Sequence, residues 1–175
     1  MFRPANDNVT SRPLVIILPT SNFLPRQARQ SPTGIRVASL EPTANVGDSF
    51  CIALAQRLSR MGYVTAVADY RMGWNPIDPN ILTRTSGLIN AAYRGVQDAR
   101  TCIRFFKANA ATYGIDTTRI ALWGVGTGGY ITSATATLDA YNEIINTKFP
   151  ENKFINTSGT TATPMVTESI NGDIE

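Results

Sequence analysis

Gly124-Val125-Gly126-Thr127-Gly128-Gly129-Tyr130 is the stretch of this 175-residue chain whose residue types and spacing come closest to chemistry. Three readings compete for it. As letters, Gly124, Gly126 and Gly129 satisfy G-x-G-x-x-G, a turn that rests a pyrophosphate on helix N–H groups where glycine lets the backbone approach. That chemistry calls for a second strand ending in Asp or Glu about 20 residues on. Near residue 150 the chain is rich in Thr, Ser and Asn instead. As a nucleophile turn, G-x-S-x-G, the stretch has Gly124 and Gly128 as the small flanks of a sharp strand-to-helix bend. Its central position is Gly126, so no oxygen or sulfur stands there to attack a carbonyl. In the third reading the glycines merely close-pack a helix on a strand and bind nothing. Thr127 brings a hydroxyl beside the apex. As a helix N-terminal residue it is expected to cap neighbouring N–H groups rather than to act as a nucleophile.

Composition narrows the chemistry further. The chain contains no histidine, which excludes a Ser-His-Asp triad, a Cys-His pair or a histidine metal site built from these residues alone. Of the 16 Lys and Arg, three are Lys, and the Arg residues are scattered without a basic block. A net charge of +3 so distributed is a solvated surface, and no nucleic-acid partner is expected. No apolar run approaches the ~18 residues of a membrane span. No cofactor is called for. Cys51 and Cys102 lack C-x-x-C spacing, and their number alone leaves both one disulfide and two separate thiols open.

The elements that must position the glycine turn can be read in order. Pro13-Leu14-Val15-Ile16-Ile17-Leu18 is a short apolar run, a strand buried on both faces. Residues 19–47 read as a long loop. Asp48 is a candidate N-cap for a helix running to Met61, with Gly62 closing it. Tyr63 to Asp69 is a second buried strand, and residues 71–89 a second loop. Ala92, Val96, Ala99, Ile103, Phe106 and Ala110 recur at helical spacing, which predicts a long helix from Leu88 to Tyr113. Gly114 ends it, Asp116-Thr117-Thr118 turns the chain, and Arg119 to Trp123 is a third strand. A helix over Tyr130–Ile145 follows the glycines. Strand, helix, strand, helix, strand, helix demands parallel pairing with helices on both faces. The fold class is α/β, a three-layer αβα arrangement with a parallel sheet. The whole chain, 1–175, is read as one incomplete domain, with its core at 12–145 and a polar tail at 146–175.

Several of these segments together resemble the amino-terminal half of an α/β-hydrolase of the carboxylesterase/lipase-like group. Arg12 to Leu18 is similar to the strand that leads to the oxyanion loop. Ala53 to Leu58, Gly62-Tyr63-Val64 and Asp69-Tyr70-Arg71 resemble the next helix and strand, with the group's D/N-Y-R run at its end. The most specific match is Tyr93-Arg94-Gly95-Val96-Gln97-Asp98-Ala99-Arg100, with Ile103 to Phe106, Tyr113 to Asp116 and Arg119-Ile120. It resembles the helix and turn that precede the nucleophile elbow. The resemblance implies a partial α/β-hydrolase fold and a bacterial, secreted or cell-surface setting. It places the elbow on Gly124, Gly126, Thr127 and Gly128, and the oxyanion loop on Pro19-Thr20-Ser21-Asn22-Phe23.

The departures from that pattern set the functional expectation. The group's H-G-G-G loop supplies backbone N–H donors to a developing oxyanion, and proline at 19 donates none. The nucleophile position is a glycine. The expected protein is therefore a catalytically silent, esterase-related segment acting as a structural or binding module. Its sheet would be completed by the remainder of a longer parent chain or by a protein partner. Two alternatives stand beside it: an active carboxylic-ester hydrolase completed by residues outside the segment, and a nucleotide-binding module using Gly124–Gly129. Thr20, Ser21, Asn22, Tyr70 and Trp74 are candidate binding residues around the turn. Tyr70 and Trp74 are also natural packing residues under the loop they begin. Asp69 and Asp98 are expected in structural roles, Asp98 paired with a nearby Arg such as Arg94 at i−4. The resemblance sets the helices of Cys51 and Cys102 on opposite sheet faces and so implies two free thiols.

Overall fold

The computed structural model describes residues 1–5, 9–20, 49–71 and 74–138. Seven elements follow in order: β1 (Arg12–Leu18), α1 (Ser49–Arg60), β2 (Val64–Val67), α2 (Ile81–Ala108), α3 (Ala110–Tyr113), β3 (Ile115–Gly124) and α4 (Thr127–Thr137). The strands form one sheet in the order β2-β1-β3. Both pairings are parallel, Leu14 lying beside Val64 on one side and Ile120 on the other. The expected α/β class and parallel sheet are what the chain adopts.

β1 is central, and its alternation explains the layers. Leu14, Ile16 and Leu18 point to one face, where they pack with Val64, Ala91, Val96, Ala99 and Ile131 from β2, α2 and α4. Val15 and Ile17 point to the other, against Cys51 and Ala55 of α1. Leu14, Ile16, Ile17 and Leu18 are wholly buried, each worth roughly 1.5–3 kcal/mol relative to exposure. Thr65 is also fully buried, and its hydroxyl donates to Ala55 O at 3.0 Å, tying β2 to α1. Cys51 and Cys102 sit in the clusters on opposite faces and form no disulfide. Burial pushes the Cys102 thiol up to about 11.

The two outer strands differ. β2 is bridged at its edge by Phe2, which exchanges two backbone hydrogen bonds with Thr65. β3 is an edge strand among the described residues. Its Ala121 and Trp123, register partners of Val15 and Ile17, share the α1 face, and Trp123 remains 46% exposed.

Several element boundaries depart from the sequence reading. α2 begins at Ile81, not Leu88, because Asn80 caps it: its side chain accepts from the Leu82 and Thr83 N–H groups. The long helix does not run unbroken to Tyr113. Asn109 interrupts it, its backbone and side-chain N–H groups both donating to Phe105 O, and α3 follows as a single turn closed by Gly114 in the left-handed region at φ 66°. Asp116-Thr117-Thr118 turns locally, as Thr118 N–H donates to Asp116 Oδ1, yet these residues belong to β3. The register of β3 on β1 shifts there, between Arg12 and Leu14, which absorbs the turn as an irregularity in the ladder. α4 starts at Thr127 rather than Tyr130. The second strand is shorter than read, four residues ending at Val67. Asp48 and residues 139–175, including the predicted end of the last helix and the polar tail, lie outside the described residues. No helix among the described residues is long and apolar enough to cross a membrane.

Candidate functional site

The ends of β1 and β3 lie side by side, Leu18 against Gly124, so whatever follows each strand meets at the carboxyl edge of the sheet. After β3 the chain reverses within two residues into α4. Val125 N–H donates to Leu18 O at 3.0 Å, and Gly128 N–H to Val125 O at 2.9 Å. The turn is too tight for side chains at its flanks. A Cβ on Gly124 would run into Gly128 O, and one on Gly128 into Leu18 O. Gly126 forms the apex with φ 56° and ψ −119°, outside the regions that L side chains favour. A sharp, strained strand-to-helix bend with small flanks is the geometry of a nucleophile elbow.

What surrounds the apex is hydroxyl-rich. A Cβ on Gly126 would run into Thr20 Oγ1 and stand 2.7 Å from Thr20 Cβ. Thr127 N–H donates to Thr20 Oγ1 at 3.4 Å. Tyr70, 3% exposed, donates its hydroxyl to Pro19 O at 2.7 Å. A carbonyl can only accept, so the Tyr70 proton is committed to it. The 3.2 Å contact between Tyr70 and Thr127 hydroxyls then has Thr127 as donor. The Thr127 hydroxyl thus turns inward to Tyr70, and the N-cap position of α4 is Gly126, which has no side chain to cap with.

Of the residues singled out in the sequence, Thr20, Tyr70, Gly124, Gly126, Thr127 and Gly128 converge on this turn. Trp74 does not: it is half-buried against the α2 side of the core, next to Gly87 of that helix. Ser21 and Asn22 lie outside the described residues. The sequence reading did not foresee Pro19 O as the acceptor that fixes Tyr70. Nothing local signals that contact, which spans 51 residues.

The Asp69-Tyr70-Arg71 run has a division of labour. Asp69 Oδ1 accepts from the Tyr70 N–H at 3.0 Å, holding the chain as it leaves β2. Arg71 reaches α2, where its backbone N–H and guanidinium both bond Asp98, at 2.6 and 2.8 Å. Asp98 thus has the structural role expected of it, paired with an arginine, but its bonds reach Arg71 across the fold. Burial and the neighbouring Arg71 cation push the Arg94 guanidinium below its usual range, and Asp98 partly counters them. Arg100, largely buried, donates to the carbonyls of Thr135 and Leu138 at the end of α4. Gly95 lets α4 come close: a Cβ there would lie 2.5 Å from Ile131 Cδ1. The Tyr93–Arg100 segment is therefore the clamp that seats α4, and with it the turn, on the sheet.

A family model, BD-FAE, an esterase-related α/β-hydrolase domain, matches residues 43–167. The chain belongs to the BD-FAE family. The family match runs from before α1 through the turn and α4, and on into the Thr- and Ser-rich stretch. Among solved structures, this BD-FAE chain is similar to a thermophilic esterase from the Planctomycetes species Thermogutta terrifontis in its propionate-bound form. The identity is 20% and the TM-score 0.45, over 77% of this chain and 38% of that one. The same organism's esterase 2 phosphonylated by cyclosarin gives 18% identity and a TM-score of 0.48, over 76% and 39%. The BD-FAE chain thus spans 38% of the length of the first of these esterase structures. No curated protein sequence matches it.

Proposed function

We propose that this BD-FAE chain is a catalytically silent α/β-hydrolase domain that serves as a structural or binding module. The observation that carries the reading is the apex at Gly126. It has the strained backbone of an elbow, no side chain to attack with, and Thr20 standing over it. The two threonine hydroxyls nearby are poor substitutes for a nucleophile. Thr127 Oγ1 faces the buried Tyr70. Thr20 Oγ1 accepts the Thr127 N–H, the group that in an active elbow would stabilise an oxyanion. Neither has a histidine among the 175 residues to take its proton. Residues 12–145 act as a single incomplete unit in this reading. The outer edge of β3 and the exposed Trp123 are where further chain or a protein partner would continue the sheet. A setting outside a bacterial cell or at its surface goes with the reading as a proposal.

The experiment is ester turnover by the purified chain with a p-nitrophenyl ester, alongside labelling by a serine-directed fluorophosphonate. The expected result is no rate above buffer and no label. Turnover that is lost in Thr20→Val or Thr127→Ala would replace the silent reading with an active one.

A further inference from the structure

Thr20 and Gly126 lie 106 positions apart in the sequence and in contact in the fold. The Thr20 side chain fills the volume into which a side chain at 126 would project. Its hydroxyl also takes the Thr127 N–H. We infer that the surface-exposed Thr20 is an intrachain occupant of the silenced site. It blocks the space a nucleophile would need and takes up the donor an oxyanion would need, so a hydroxyl restored at 126 alone meets a closed site. The inference rests on the reading of the turn as a silenced elbow. It adds that the loss is held by two residues and not one.

The glycine at 126 has two separable reasons to be there. One is the positive φ, which strains any L side chain whatever surrounds it. The other is the contact with Thr20, which disappears if residue 20 has no side chain. A double-mutant cycle on the full chain separates them. Gly126→Ala is expected to lower the folded-to-unfolded ratio by about a hundredfold, from strain and overpacking together. In a Thr20→Gly background the same change is expected to lower it about tenfold or less, the part left to strain. Equal losses in the two backgrounds would overturn the inference. Should the alanine variants not fold, Thr20→Val decides instead: it keeps the shape and removes the acceptor. The Thr127 amide proton should then shift upfield and exchange faster with solvent; an unmoved Thr127 resonance would overturn the inference. Neither readout depends on ester turnover. A failure here leaves the silent reading standing, and turnover would remove that reading without touching this contact.

Discussion

Along α2, the run Gln97-Asp98-Ala99-Arg100 finds a partner for every side chain: Arg71 for the first two, the core for Ala99, the end of α4 for Arg100. The turn between β3 and α4, which that run helps to seat, is a sharp positive-φ bend with no side chain at its apex. The difference separates two kinds of residue that a family resemblance carries together. Contacts such as Arg100 with the α4 carbonyls stabilise the fold whatever the turn does. A hydroxyl-bearing side chain at φ 56° costs stability, on the order of 1–3 kcal/mol, and is worth having only for its chemistry. A glycine at 126 removes that strain and leaves the clamp untouched. On the proposed silent reading, a nucleophile can therefore be given up without loosening the framework around it.

Gly124→Ala should give the largest effect, because it attacks the backbone that the turn retains. The new Cβ meets the Gly128 carbonyl and the Gly129 N, and main-chain atoms in the first turn of a helix cannot yield as a side-chain tip can. A loss of about 3 kcal/mol or more in urea denaturation is expected, with the chain failing to fold as the extreme case. A near-neutral result would mean that the turn adapts freely, and the contrast with α2 would break.

The next effect tests the clamp. Arg100→Met keeps most of the buried stem and removes the donors to Thr135 O and Leu138 O. Two carbonyls at the end of α4 lose a charged partner, so about 2 kcal/mol should go, read as a lower urea midpoint with unchanged slope. Asp98→Asn should do less. The Arg71 and Asp98 side chains are 48% and 21% exposed, and solvent screens such a pair to roughly 0.2–1 kcal/mol. Repeating that measurement in high salt should shrink the wild-type advantage further. A cost for Asp98→Asn as large as that for Arg100→Met would merge the two contacts into one unit.

The legible parts of the molecule were those where a local pattern and the tertiary packing agree. The Leu14–Leu18 run is buried on both faces and reads so. Gly114 stops a helix where a glycine should, and Gly124, Gly126 and Gly128 mark the turn where it lies. The start of α2 was not legible. Thr83, Thr85, Ser86 and Gly87 look like loop, and a glycine inside a helix costs about 1 kcal/mol relative to alanine. The Asn80 cap and the fit of Gly87 against Trp74 override that local signal. The site divides in the same way. Its backbone could be placed from the glycine spacing, and Thr20 and Tyr70 were candidates by their place after strands. What they do there depends on β1 and β3 ending together, a contact 107 residues apart for Thr20 and Thr127. No local window contains that information.

The smallest effect lies on β3, far from the carboxyl edge, and tests whether the irregular start of that strand is held by charge. Asp116 accepts from the Thr118 hydroxyl at 2.6 Å and the Thr118 N–H at 2.9 Å, and pairs with Arg119 at 2.7 Å. These bonds, led by the Thr118 hydroxyl, favour the carboxylate and hold its pKa down to about 2, against 3.8 ordinarily. A carboxylate whose pKa is lower folded than unfolded binds fewer protons in the native state. Its contribution is complete above the unfolded value and is lost as the pH falls through the interval toward 2. Wild type and Asp116→Asn should therefore differ most at neutral pH and converge in acid. The group is solvent-accessible, so the neutral-pH gap should be slight. A gap that widened in acid would mean that the register shift of β3 does not depend on this carboxylate. The turn at Thr118 would then be fixed by its backbone and not by charge.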